Sequence, residues 1–240
     1  MPRSPFILAL ACAVAAGCGG GSGPTGPTPK VPRLSRTRFM AFGDSLTTGE
    51  VTAPIGAAGG IGKLIVVAAA AYPSVLQSQL QSAYPSQSSA ISVSNQGKGG
   101  ETIFDGVLRF EDVFPGSRAE VVLIQEGVNG LQTGGPDAST SLMRVMVQQA
   151  KGANAKVFVG SMIPTLAGRQ RTQDAAALVA YNTVLQIMCT QEGVTYVDLY
   201  NGILPQAETL IGIDGLHPTE AGYRRIADLY FAAIKRELEE

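Results

Sequence analysis

Five short, mainly apolar runs recur along the chain from residue 38 onward, and each is followed by a glycine or a polar residue. Runs of this length with few charges are typical of strands that are buried on both faces of a sheet. The five predicted strands occupy residues 39–42, 91–94, 121–125, 156–160 and 194–197.

The segments between these runs carry apolar residues at helical spacing. The predicted helices lie at residues 74–83, at 103–110, around Leu142, from Leu178 to a stop at Gly193, and from Thr219 onward. Strands that alternate with amphipathic helices imply a parallel sheet covered on both faces, which is a three-layer α/β/α fold. Ligands bind to such sheets at the carboxyl ends of the strands.

Residues 51–71 fit neither pattern, because they are rich in alanine and glycine around one apolar stretch at 64–67. That stretch is too short to cross a membrane. We interpret the segment as a surface insertion with a short strand. The alternative is a mobile flap over a site that includes the nearby Ser45.

The first 18 residues have the pattern of an export signal, with Arg3 before an apolar core at 6–16. Residues 15–18, Ala-Ala-Gly-Cys, resemble a bacterial lipobox, although alanine stands where leucine is favoured. This predicts lipidation of Cys18 and anchoring to a membrane of the cell envelope. Cleavage after residue 15 is the alternative and would release a secreted or periplasmic protein. Residues 19–36 predict a flexible linker, which leaves 37–240 as the folded domain.

Composition narrows the class of function. The 240 residues fit one domain with a full core, and the net charge of −1 does not favour nucleic acid as a partner. With Cys12 removed and Cys18 lipidated, only Cys189 remains, so no disulfide forms within the mature chain. We expect Cys189 to be a small buried apolar residue. One cysteine and one histidine are too few for a Cys/His zinc site, so we expect no metal.

The single histidine limits the chemistry that is available. His217 follows Asp214 closely near the C-terminus, and Ser45 lies in Gly43-Asp44-Ser45-Leu46 directly after the first predicted strand. Serine, histidine and aspartate are the parts of a nucleophilic hydrolase. Taken alone, Ser45 also fits a helix N-cap, and the Asp-His pair fits a surface turn.

Four blocks of the chain resemble the SGNH, or GDSL, hydrolase family. They are residues 42–49, 95–102, 126–129 and 214–218. The resemblance implies a flavodoxin-like order of the five strands, with Ser45 as nucleophile, His217 as base and Asp214 as the residue that orients it. It also implies an oxyanion hole formed by the N–H groups of Ser45 and Gly100 and the side-chain amide of Asn129. No cofactor is implied.

One position departs from the family pattern, since Gly130 stands where an aspartate usually follows the asparagine of the third block. That aspartate helps to hold its loop, so its absence puts the rigidity of Asn129 in question. Walls of the substrate pocket are expected at residues 127–131 and 163–171. Arg169 and Arg171 either face an anionic substrate or are solvated loop charges.

The resulting expectation is a serine esterase that cleaves carboxylic esters through an acyl-enzyme. Its activity should fall in acid, where His217 would be protonated. The alternatives are an acyltransferase to a sugar or lipid hydroxyl, and a surface binding protein with weakened catalysis. The resemblance allows a small ester, a lipid or an acetylated carbohydrate as substrate.

Overall fold

The computed structural model describes Met1 and residues 31–53 and 63–240. The predicted export signal, Cys18 and most of the predicted linker lie outside these residues. Pro32–Glu240 forms one compact unit. Its first residues pair with the C-terminus, because the Ser35 N–H donates to the Leu238 carbonyl at 2.9 Å and Leu34 is buried. The last residues of the predicted linker therefore belong to the folded unit.

The strands, numbered in chain order, agree closely with the predicted runs and add one hairpin. They are β1 (Arg38–Gly43), β2 (Glu50–Thr52), β3 (Leu64–Val66), β4 (Ser92–Gly97), β5 (Val121–Gln125), β6 (Lys156–Gly160) and β7 (Thr195–Val197). Five of them form a parallel sheet in the order β4-β1-β5-β6-β7. This is the flavodoxin-like order, and it confirms the predicted fold class.

Helices cover this sheet. They are α1 (Ser45–Thr48), α2 (Tyr72–Ala83), α3 (Ile103–Ser117), α4 (Leu131–Gly152), α5 (Ala175–Glu192), α6 (Leu199–Ile203), α7 (Ala207–Leu210) and α8 (Glu220–Leu238). Helix α2 packs on α8, while α3, α4 and α5 pack in series. Within the described ranges, no helix is both long enough and apolar enough to cross a bilayer.

Two helices extend beyond their predicted ends. Helix α3 continues past residue 110 because Phe114 keeps the apolar face and stacks on Phe110, with ring centroids 5.0 Å apart. Helix α4 begins at Leu131 and contains a break at Gly135, where φ is 71°. Gly193 ends α5 in a left-handed conformation, as predicted.

The segment after Ser45 contains a hairpin in which β2 pairs antiparallel with β3. The prediction of one short strand is therefore incomplete. The side chains of Ile65 and Val66 are exposed, as expected of a surface insertion. Residues 54–62, which connect the two strands, lie outside the described residues, and the alternative of a mobile flap falls partly on them.

The sheet brings the predicted site residues to one edge. Ser45 follows β1, Gly100 follows β4 and Asn129 follows β5, and these three strands are neighbours. Strand order reverses between β1 and β5, which is where sheets of this type open a crevice for ligands. Helix α1 lies directly on β4, since a Cβ at Gly97 would be 2.2 Å from the Thr48 nitrogen.

We predict that Gly97→Ala lowers the free energy of unfolding by about 2 kcal/mol, because the added methyl group would push α1 off the sheet. Gly116→Ala is the matched control, since a Cβ at this helical position meets nothing within 4 Å. It should be neutral or stabilising by up to about 1 kcal/mol. Urea denaturation of both variants tests this, and equal effects would show that the close approach at Gly97 has no energetic consequence.

Candidate active site

Ser45 is held at a tight connection between β1 and α1. Gly43 allows this connection, because a Cβ there would be 2.1 Å from the Gln125 carbonyl oxygen on the neighbouring strand. Asp44 caps the helix, with its Oδ1 accepting the Leu46 N–H at 2.9 Å. The first residue of α1 is therefore fixed at the carboxyl edge of the sheet.

Ser45, His217 and Asp214 form a continuous hydrogen-bonded chain. Ser45 Oγ lies 2.9 Å from His217 Nε2, across 172 residues of sequence, and His217 Nδ1 lies 2.6 Å from Asp214 Oδ2. The three residues are 3%, 2% and 1% exposed. The structure thus brings together all three residues that the motifs singled out.

The Asp214 carboxylate is fixed by its own loop. Its Oδ1 accepts the N–H groups of Leu216 and His217, each at 3.1 Å. Burial alone would raise the pKa of Asp214, but these bonds and the His217 ring together hold the pKa below its ordinary value. An ionised Asp214 favours the proton on Nδ1, which leaves the Nε2 lone pair facing the Ser45 hydroxyl.

Two of the predicted oxyanion donors, Gly100 and Asn129, lie in connected loops. Asn129 Nδ2 donates to the Glu101 carbonyl at 2.9 Å, which ties Asn129 to the residue that follows Gly100. Gly100 has a positive φ of 73°. Among the described residues, neither the Ser45 N–H nor the Gly100 N–H has an acceptor.

A family model for the GDSL-like lipase/acylhydrolase family matches residues 41–225. The chain belongs to this family. Membership of the family assigns ester hydrolysis to this chain as the general type of reaction. No curated protein sequence matches the chain.

Solved structures similar to the GDSL hydrolase share its fold. An alpha/beta hydrolase enzyme from the metagenome of Lake Arreo, Spain, has a TM-score of 0.66 at 18% identity, covering 84% of this chain and 95% of its own. The acetylxylan esterase Axe2 from Geobacillus stearothermophilus has a TM-score of 0.65 at 20% identity, covering 84% and 94%. A lipase/acylhydrolase from Enterococcus faecalis has 0.64 at 19% identity, covering 84% and 97%.

Other contacts hold the loop at Gly130, where the family usually has an aspartate. The ring of Phe104 lies against the start of α4, since a Cβ would be 3.4 Å from the ring at Gly130 and 2.5 Å from it at Gly134. Asn129 is positioned by the Glu101 carbonyl instead of a side chain at position 130.

The motifs did not reveal the ion pair that supports this loop. Glu101 is buried and accepts hydrogen bonds from Arg109 Nε at 2.8 and 2.9 Å. Arg109 also donates to the Gly43 carbonyl at 3.3 Å and stacks on Phe42, 4.1 Å from the ring centroid. One guanidinium thus links the loop that holds Asn129 to the connection that holds Ser45. No sequence signal distinguishes this arginine from a solvated one.

The arginines of the predicted pocket wall have structural partners. Arg171 Nε lies 3.6 Å from Asp214 Oδ2, and the Arg171 N–H donates to the Asp214 carbonyl at 2.8 Å. Arg169 packs its side chain against Gly215. Arg171 therefore contributes to the charge balance around Asp214.

A cavity of about 330 Å³ adjoins the loop of Asp214 and His217. The prediction that residues 127–131 and 163–171 line the substrate pocket stays a prediction, since none of them is among this cavity's walls. The walls come from the hairpin and from the residues on either side of His217: Val51, Thr52, Ala53, Ile65, Val67, Gly212, Ile213, Pro218, Thr219 and Glu220.

No group of three His, Cys, Asp or Glu side chains suited to a metal ion occurs in the described part of the chain. Cys189 is buried within the core, as predicted.

Two carboxyl groups beside the site, those of Asp44 and Glu126, are fully buried. Burial raises the pKa of Asp44 to about 7; the Leu46 N–H and His217 oppose this increase, while the charges of Glu50 and Glu101 add to it. Burial, and then the charges of Asp44 and Glu101, raise the pKa of Glu126 well above its ordinary value. Among the described residues, Asp44 Oδ2 and Glu126 Oε2 have no hydrogen-bond partner. Ionisation of these groups opposes folding.

We predict that Asp44 makes the protein less stable as the pH rises from about 4 to about 7. In this range the unfolded chain releases the Asp44 proton before the folded chain does, so ionisation favours unfolding, by up to about 4 kcal/mol at pH 7 and above. Asp44→Asn retains a capping oxygen and lacks the ionisation. The free energy of unfolding of the wild type should therefore fall relative to that of Asp44→Asn across this range, as measured by denaturation at several pH values. A constant difference would contradict the assignment.

Proposed function

We propose that this protein hydrolyses carboxylic esters through an acyl-enzyme on Ser45. The observation that carries the proposal is the hydrogen-bonded chain from Ser45 Oγ through His217 to Asp214. Support also comes from the family, and from serine and histidine variants of the acetylxylan esterase Axe2 that are described as catalytic mutants.

In the acylation step, His217 Nε2 takes the hydroxyl proton as Ser45 Oγ attacks the ester carbonyl carbon. Asp214 stabilises the imidazolium that forms, because its carboxylate faces Nδ1 at 2.6 Å. The carbonyl oxygen gains negative charge and is stabilised by the N–H groups of Ser45 and Gly100 and the Asn129 amide. When the tetrahedral intermediate collapses, Nε2 gives its proton to the leaving alcohol oxygen.

Deacylation uses the same groups in reverse. His217 Nε2 removes a proton from water, and the hydroxide attacks the acyl carbon on Ser45. The carboxylic acid leaves as the proton returns to Ser45 Oγ. The network of Glu101 and Arg109 acts by positioning, since it holds the Asn129 loop and the Gly43 connection in register.

We predict that Ser45→Ala lowers kcat for p-nitrophenyl esters by at least about 10³-fold, because the acyl acceptor is lost. Ser141→Ala is a matched control, since Ser141 is an exposed residue of α4. It should leave kcat and KM unchanged. Rates across a chain-length series would also define the preferred acyl group. Turnover by Ser45→Ala at the wild-type rate would contradict the mechanism.

A further inference from the structure

Glu50 places a carboxylate at the reacting end of His217. It is the first residue of β2, and its Oε2 lies 3.9 Å from His217 Nε2. Its other oxygen rests on the glycine loop, since a Cβ at Gly99 would be 1.9 Å from Glu50 Oε1. The carboxylate therefore lies between the His217 ring and the loop that carries Gly100.

The backbone at Glu50 is anchored to the site. The Tyr223 hydroxyl donates to the Glu50 carbonyl at 2.6 Å and lies 3.4 Å from the Ser45 carbonyl. The Val67 N–H donates to the Gly49 carbonyl at 3.0 Å. The position of the carboxylate is thus set by the same elements that set the position of Ser45.

The Glu50 side chain is only 16% exposed. None of the described residues donates a hydrogen bond to it. At 3.9 Å the His217 ring forms no hydrogen bond with it. Glu101, buried in the same site, differs because Arg109 and Lys98 pair with it. A donor that arrives with the substrate would stabilise a carboxylate in so little water.

The reaction determines which part of the substrate meets Glu50. His217 Nε2 gives its proton to the leaving oxygen, so that oxygen must come within hydrogen-bonding distance of Nε2. Two gauche oxygens on adjacent carbons are separated by about one hydrogen-bond length, about 2.8 Å. They can therefore lie side by side over the 3.9 Å between Nε2 and Glu50 Oε2, with the ester oxygen at Nε2 and a hydroxyl at Glu50.

We propose that Glu50 is a specificity-determining residue that accepts a hydrogen bond from a hydroxyl on the carbon next to the esterified carbon. Partial esters of polyols, such as acylated sugars or glycerol, are then preferred over esters of simple alcohols. Alcohols that carry an anionic group close to the ester are disfavoured by the same charge. This inference rests on the proposed ester hydrolysis and concerns the alcohol half of the substrate.

The test compares 2-hydroxyethyl acetate with 2-methoxyethyl acetate, which differ in whether the neighbouring oxygen can donate. For the wild-type protein we expect kcat/KM to be about tenfold higher for the hydroxyl compound, the size of a charged hydrogen bond. In Glu50→Gln the ratio should fall to about threefold or less, since a neutral acceptor is weaker. Glu208→Gln changes an exposed glutamate of α7 and should keep the wild-type ratio.

A second readout separates this role from an effect on His217 alone. If Glu50 only stabilised the protonated ring, Glu50→Gln would move the acid limb of the pH–rate profile equally for both acetates and leave their ratio intact. That result would overturn the proposal. So would equal rates for the two acetates in the wild type, a comparison that needs no variant.

Hydrolysis of p-nitrophenyl acetate tests the proposed ester hydrolysis independently of Glu50, because this ester has no hydroxyl that could donate to Glu50. Hydrolysis of p-nitrophenyl acetate with no discrimination between the two alkyl acetates would overturn only the role of Glu50. Absence of turnover with all three acetates and with every member of the p-nitrophenyl chain-length series would overturn both.

Discussion

The hydrogen bond between Ser45 Oγ and His217 Nε2 is the contact on which the rest of this site depends. It joins the first strand connection to the last loop, and 172 residues of chain have to fold before the two atoms meet. The parallel sheet provides one end, because β1 delivers Ser45 to its carboxyl edge beside β4 and β5. The hydrogen-bonded loop of Asp214 provides the other, and helix α8 follows it at once and packs on α2.

The carboxylates around this hydrogen bond differ in whether a cationic side chain pairs with them. Glu101 has Arg109 and Lys98 as partners, and Asp214 has His217 with Arg171 nearby. The partly exposed Glu50 is left to meet the substrate, and the buried Asp44 is left with a raised pKa. Groups that position the loops are therefore neutralised within the protein. The negative charge of Glu50 stays close to the imidazole, where it favours the imidazolium that forms during the reaction.

The sequence predicted the parts of the structure that depend on local pattern. Buried strands need only a short apolar run, and Ser45, Asp214 and His217 lie in motifs whose order along the chain suggests a common edge. Contacts between distant segments were not predictable. Leu34 is one apolar residue in a polar stretch, and only the C-terminal segment reveals its partner. The pairing of β2 with β3, the pair of Glu101 with Arg109, and the approach of Glu50 to His217 likewise depend on how segments pack together, which the local pattern does not show.

Reaction with an alkyl p-nitrophenyl phosphonate, followed by peptide mass spectrometry, tests the central claim most directly. Such a compound transfers its phosphonyl group irreversibly to an activated serine. The account predicts one adduct, on the peptide that contains Ser45, with esterase activity lost in proportion to the modified fraction. Loss of activity with the adduct on another residue, or full activity with Ser45 modified, would contradict it.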